Sequence, residues 1–377
     1  MNESAKQYYE AIATLTGCII GAGILGIPYV FVKAGFWTGM VVLVVIGIAM
    51  LVVHLLIGEV ALRTKKCHQL VGYAQKYLGN WGKRLMLFSM CVGIYGALLA
   101  YTIGVGQSLT AVFGGTLLFW SSVFYILMAF LLFGGIKVLA ESELWMEALK
   151  LFIFAIVVIM LFASSNFSAD NLAGFSLENL FVPYGVVLFA FIGTAAIPEV
   201  REETKKCLFI AKKAIIIGSL IPLIIYTLFA LAVVGVSGAG TTEVATIGTA
   251  SVGNAGFVLM QLFAILAMTT SFAALGYALK ESYNEDFGIT KFNAWLLTMV
   301  IPPILAFLLN TSFVKILDIT GTITGGIVGI LAVLMHARAR KMSERKPEYE
   351  IRINIIGYTL LIVLFAAGII SVIIQMF

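Results

Sequence analysis

The chain alternates long apolar runs with short polar joints. The runs lie at roughly 8–33, 36–62, 83–112, 117–134, 146–164, 181–200, 212–236, 255–280, 292–310, 313–336 and 354–376. Most approach the roughly 20 residues that an α-helix needs to cross a bilayer. Strands of a membrane barrel would show short alternating segments instead, and none is visible. The pattern predicts an all-α integral membrane protein of about eleven transmembrane helices. Two joints carry more than a turn. Residues 66–82 (KCHQLVGYAQKYLGNWG) read either as an amphipathic helix on a membrane face or as an ordinary loop. Residues 237–254 (SGAGTTEVATIGTASVGN) form a small, polar segment that reads as a lid.

Composition sharpens this picture. Only 11% of residues are charged, against about 25% in soluble domains. The polar stretch Met1 to Glu10 is short and the run after it is too long for a signal-peptide core, so no cleavable leader is expected. The net charge of +5 would suit nucleic acid only if it were clustered for that purpose, and it follows the joints instead. One set of joints holds Arg63, Lys65, Lys66, Lys76, Lys83 and Arg84, then Arg201, Lys205, Lys206, Lys212 and Lys213, then Arg338, Arg340, Lys341, Arg345 and Lys346. Of the 24 basic residues, Lys33 and Lys315 fall on or near the other side. Positive joints stay cytoplasmic, so the amino terminus is expected inside and the carboxyl terminus outside. Cys18 and Cys91 lie in apolar runs and Cys67 and Cys207 in basic joints, which gives no disulfide framework.

The first and sixth runs share an unusual feature. The first contains GAGILGIPY (Gly21 to Tyr29) and the sixth FAFIGTAAIPE (Phe189 to Glu199), both with the spacing Gly-x-x-x-Ile-Pro. Proline deletes a backbone donor and glycine frees the chain from helical geometry, so both spans should break near mid-membrane. The second break comes five spans after the first, in a unit that runs the opposite way. Paired interrupted helices in inverted halves mark a transporter's binding site, although glycine and proline in one such helix would as readily mean close packing or a kink. The expected repeats are residues 1–164 and 181–336, with an additional helix in 350–377.

A break of this kind has a definite chemistry. Carbonyls at Gly17 to Ile20 lose their intrahelical donors and can bind a cation, while amides from Gly23 through Ile24 to Leu25 suit a carboxylate. Carbonyls at Phe189, Ala190 and Phe191 can accept an ammonium, and the two phenylalanines offer apolar surface. Carboxylate and ammonium poles this close fit a zwitterionic α-amino acid, and the lack of acidic residues at the breaks favours a neutral one. The expected function is secondary transport of an amino acid by a monomer in the lipid bilayer, without cofactor and without nucleic acid.

At GAGILGIPYVFVKAGF, at GALLAYTIGVGQSL and at LFAFIGTAAIPEVREE, the sequence resembles the amino acid/auxin permease family and its relatives, the hydroxy and aromatic amino acid permeases. The resemblance covers the first ten spans. It implies a fold like the bacterial leucine transporter, with five plus five inverted helices, broken helices 1 and 6, and alternating access. It also implies substrate contacts from Gly21, Ala22, Gly23 and Ile24, from Phe189, Ala190 and Phe191, and from Thr194. Tyr101 matches a recurrent tyrosine of the third span, where either substrate contact or plain packing fits. Sodium-coupled relatives hold the ion between the first break and two hydroxyls, which Gly17, Ile20, Thr269 and Thr270 match here. In proton-coupled relatives a lysine amine stands in the sodium position, and Lys150 in the fifth span matches it. The alternative for Lys150 is a headgroup anchor. Proton and sodium coupling both stay open, as does a sensor that binds without net transport.

Other ionisable residues read more plainly. Glu59 can pair with Arg63 one turn on, and His54, five residues before Glu59, does not share its face. Lys315 and Asp318 are expected to pair. The run Glu199, Arg201, Glu202, Glu203 fits an inner salt-bridge network or a solvated cluster. Thr320 to Gly326 (TGTITGG) reads as close helix packing. The histidines (His54, His68, His336) lie in unrelated segments, so no metal constellation forms and an enzyme is not expected.

Overall fold

Each expected apolar run coincides with one helix, or for the first and sixth with a broken pair, in the computed structural model, which describes residues 3–134, 137–285, 288–309 and 311–376. The helices are α1 Glu3–Ile19, α2 Ile27–Ala34, α3 Phe36–Arg63, α4 Leu70–Phe113, α5 Leu117–Gly134, α6 Lys137–Phe162, α7 Tyr184–Ala190, α8 Ile197–Glu203, α9 Ala211–Ser237, α10 Asn254–Glu285, α11 Lys291–Leu309, α12 Phe313–Ala339 and α13 Ile355–Met376. Among the described residues, eight stretches are long and apolar enough to cross a bilayer, or nine with the bent pair α1–α2 taken as one. Two further apolar helices, Leu149–Phe162 and Lys291–Ala306, are shorter. Large apolar side chains such as Leu118, Phe130 and Leu360 stand exposed on α5 and α13, which suits helices facing lipid.

Lipid tails are as apolar as leucine, so helices associate there through close packing rather than the hydrophobic effect. The TGTITGG stretch does this in α12. A β-carbon at Gly321 would stand 2.1 Å from the Gly185 carbonyl oxygen, so α12 seats on α7 only because that atom is missing. Ser89 and Thr324 exchange hydrogen bonds with each other's carbonyls at 3.1 and 3.2 Å and join α4 to α12.

The 66–82 joint resolves into helix. Leu70 begins α4, and Gly79 (φ +76°) bends it before the membrane run. Tyr73, Ala74, Tyr77 and Leu78 bury their side chains with Leu331, Met335 and Ala339 of α12. The basic joints meet on this side. Arg201 donates to the carbonyls of Thr64 (2.7 Å) and Lys65 (3.0 Å) and to the Tyr73 hydroxyl (3.1 Å). Glu344 accepts from the Lys65 amide at 2.8 Å and pairs with Lys76 at 2.5 Å. The Lys76 ammonium holds the exposed Glu344 carboxyl below its ordinary range.

The charged pairs turn out richer than a local reading suggests. Glu59, fully buried, pairs with Arg63 at 2.8 Å as expected, but also faces His336 of α12 at 3.1 Å. Arg63 continues to Glu350 at 3.1 Å. His54 meets Ser219 of α9 at 3.0 Å. The Lys315–Asp318 pair expected from their spacing is not among the ion pairs of the described residues. Lys315 is exposed, whereas Asp318 turns inward against the backbone of Gly185. Helical spacing made the pairing available, and the close approach of α7 removed it.

Candidate functional site

Both glycine-proline runs interrupt their helices. α1 ends at Ile19, Gly21 is extended (φ −104°, ψ −157°), and a 3-10 turn over Ala22–Gly26 leads into α2 with Pro28 in its first turn. The two halves meet at 44°. α7 ends at Ala190, and a 3-10 turn over Thr194–Ala196 leads into α8 with Pro198 in its first turn. The breaks are in contact. A β-carbon at Gly23 would stand 2.7 Å from Ala190 Cα and 2.9 Å from Ala190 Cβ, and one at Gly193 would stand 2.3 Å from Ile19 Cγ1. Each glycine is therefore the seat for the other broken helix.

The freed carbonyls find side-chain donors. Lys150 of α6 is only 1% exposed, and its Nζ donates to the Ile20 carbonyl at 3.3 Å. An anchor reaching for headgroups would not be buried in this way. Tyr226 of α9 places its hydroxyl 2.7 Å from the Ile19 carbonyl and 2.9 Å from the Ala190 carbonyl, touching both breaks at once. Helix C-termini carry partial negative charge, so these donors lie where that charge converges.

The remaining predicted residues divide. Gly21 lies beside two hydroxyls: a β-carbon there would be 3.3 Å from Ser271 Oγ and 4.0 Å from Tyr101 Oη. Ala22, Gly23 and Ile24 are buried in the turn that follows. Thr194 is buried at the second break, and Gly17 is half-buried one turn before the first. Phe189 is half-buried against Gly23. Phe191 is buried, with its ring edge-to-face on Tyr226 at 5.2 Å between centroids. On α10, Thr269 is half-buried, and the Thr270 hydroxyl donates to its own helix, to the Leu266 carbonyl at 3.0 Å. Ser271, one position further on, brings its hydroxyl to the first break.

Sequence reasoning missed Tyr226 and Ser271. Tyr226 sits in an ordinary apolar run, IPLIIYTLFA, and only the packing of α9 against the ends of α1 and α7 gives it its partners. Ser271 follows the two threonines directly, and helix rotation decides which of the three hydroxyls faces Gly21.

On one flank the breaks are covered by the 237–254 segment. Val244, Ala245, Thr246 and Thr249 are buried, and the Ala245 amide donates at 3.0 Å to the Leu25 carbonyl freed by the first break. A cavity of about 540 Å³ opens beyond it, lined by Tyr29, Gln107, Thr110, Glu243 and their neighbours and by none of the break residues. On the other flank Thr14 of α1 donates to Glu203 of α8 at 2.6 Å. The acidic run of α8 thus holds the two broken spans together through a hydroxyl, while Arg201 holds backbone carbonyls.

Comparison with known proteins agrees with this architecture. The chain is 24% identical over 370 residues to Glutamine transporter 2 of Aliivibrio fischeri, covering 94% of this chain and 93% of the relative. It is 23% identical to Tyrosine-specific transport system 1 of Haemophilus influenzae over 88% of each chain. A more distant match, at 22% over 53% of this chain, is amino acid transporter AVT1H of Arabidopsis thaliana, of which 49% is covered. Among solved structures, MhsT in complex with L-phenylalanine superposes over 97% of this chain and 96% of its own with a TM-score of 0.57 at 17% identity, which shows a leucine-transporter-like fold. The description of the tryptophan/tyrosine permease family matches residues 5–375. The resemblance to the amino acid/auxin permeases thus gives way to that of their aromatic relatives, because the match to these runs the whole length of the chain. The fold, the paired breaks and the full-length match make this chain a member of the tryptophan/tyrosine permease family, a family of membrane transporters of amino acids and not of enzymes.

Proposed function

We propose that the chain is a proton-coupled symporter of neutral L-amino acids that works by alternating access between the two repeats, residues 1–164 and 181–336, with 350–377 packed outside them. The substrate carboxylate is received by the amides of Gly21, Ala22, Gly23 and Ile24, whose turn opens the second half of the first broken span. The ammonium is received by carbonyls among Phe189, Ala190 and Phe191 at the end of α7. Tyr101, Ser271 and Thr194 complete the polar lining, and Phe189 gives the side chain an apolar wall. Relatives named for glutamine and for tyrosine both carry substrates with an uncharged side chain, and MhsT was crystallised with phenylalanine. Among the described residues, no acidic side chain is placed at the breaks to receive a second cationic group.

One observation carries the choice of proton. The Lys150 amine lies on the Ile20 carbonyl, the place where a sodium ion would need that oxygen. In this reading Lys150 carries the coupled charge as the breaks open to each side in turn. In this reading the basic joints face the cytoplasm, so the amino terminus is inside and the carboxyl terminus outside.

The test is uptake of a labelled amino-acid panel into proteoliposomes under separately imposed proton and sodium gradients. A neutral amino acid should accumulate when the exterior is acidic, with no sodium present. Accumulation driven by sodium alone would overturn the coupling assignment, and no uptake of any neutral amino acid would overturn the substrate class.

A further inference from the structure

Tyr226 occupies a position that substrate recognition does not require. It lies in α9, outside both broken helices, and is fully buried. Its hydroxyl is within 2.7 Å of the Ile19 carbonyl, the last residue of α1, and within 2.9 Å of the Ala190 carbonyl, the last residue of α7. In unbroken helices those oxygens would accept from the amides four residues on; the breaks remove these donors, and the Ile19 carbonyl receives the Gly21 amide, two residues on, at 2.8 Å instead. Two helix C-termini brought this close present like partial charges to each other, and a donor between them is what makes the approach tolerable. A phenol has one proton, so the hydroxyl satisfies one of the two carbonyls at any instant and has the other within reach.

The ring is not free to follow α1. Phe191, the residue after α7, stacks edge-to-face on it at 5.2 Å, which ties the ring to the second break. If α1 moves relative to that break, the bond to Ile19 is lost and the same proton turns to Ala190 without any change in the ring. We propose that Tyr226 is a positioning residue for transport: its hydroxyl pins the end of α1 to the end of α7 and hands its hydrogen bond from Ile19 to Ala190 when α1 swings away. The pin makes a neutral protein group serve where two negative helix ends converge, so this carbonyl pair needs no bound cation. The inference rests on the alternating-access reading, but not on which amino acid or ion is carried.

The experiment compares wild type, Tyr226→Phe, and a chain with 4-aminophenylalanine at 226, whose amine has two N–H donors. Saturation kinetics are measured in proteoliposomes, and hydrogen–deuterium exchange in detergent follows residues 11–21 and 184–193. Phenylalanine keeps the ring on Phe191, leaves the Ala190 carbonyl without this donor and leaves the Ile19 carbonyl with the Gly21 amide alone. A buried unsatisfied group costs about 1–3 kcal/mol, so kcat should fall about tenfold while KM stays within about threefold. Exchange in residues 11–21 should speed up by a similar factor, and the amine should restore both. Unchanged kcat together with unchanged exchange in Tyr226→Phe overturns the pin. So does equal loss in the phenylalanine and amine chains, which would mean that ring packing alone matters. If the wild type carries no amino acid, the transport reading fails by itself, and the exchange data still decide whether the hydroxyl holds α1.

Discussion

Replacing Gly23 by alanine tests the claim that the two breaks form one site. The added β-carbon would sit 2.7 Å from Ala190 Cα, 2.9 Å from Ala190 Cβ and 3.1 Å from Phe189 Cδ1. Carbon atoms in contact prefer about 3.5–4.0 Å, so the first break must retreat from α7 by about 1 Å. The nearest obstacle is main chain and cannot rotate aside. Overpacking of this kind costs about 1–3 kcal/mol, and at about 1.4 kcal/mol per factor of ten that is about fivefold to somewhat over a hundredfold. A displacement of about 1 Å between groups that bind one ligand can itself cost about a hundredfold in rate. The assay is initial uptake of a labelled neutral amino acid in proteoliposomes, normalised to inserted protein, beside a thermal melt in detergent. Uptake should drop at least about tenfold in protein that still elutes as one species. Gly240→Ala, where a β-carbon meets nothing within 4 Å, is the control and should transport normally. Wild-type uptake in Gly23→Ala would refute the reasoning, because it would mean that the turn moves away from Ala190 without consequence.

Further outcomes follow from the same geometry. Lys150→Ala should abolish accumulation driven by a pH gradient while leaving exchange of amino acid across the membrane measurable; accumulation that still tracks external pH would reduce Lys150 to a packing residue. Ser271→Ala should raise KM by about two- to tenfold, the worth of one hydrogen bond, whereas Thr270→Ala, whose hydroxyl stays on its own helix, should leave KM within about twofold. Glu59→Ala leaves Arg63 and His336 buried without their shared carboxylate, and a broken buried pair costs about 3–5 kcal/mol, read as a lower melting temperature in detergent. Ala245→Pro removes the amide that serves the Leu25 carbonyl and should expose the 237–254 segment to limited proteolysis at concentrations that leave the wild type intact.

Hydropathy alone was enough to place the helices. A run of about 20 apolar residues has one stable form in lipid, because each backbone group must be satisfied within the segment. The breaks were legible for a related reason: glycine and proline act on the chain locally, and their spacing repeats in the first and sixth runs. Lys150 stood out as a charge in an apolar run. What remained hidden depends on which helix faces which. Tyr226 looks like any aromatic of an apolar span until α9 brings it against Ile19 and Ala190. The choice among Thr269, Thr270 and Ser271 is one of helix rotation, 100° per residue, and no local signal fixes it. Asp318 lost its expected partner because Gly185 admits α7 so closely. Sequence therefore determined the membrane class, the helices and the two points where they fail. Only tertiary packing decided which side chains meet the exposed main chain there, since those contacts join residues far apart in the chain, 207 positions in the case of Tyr226 and Ile19.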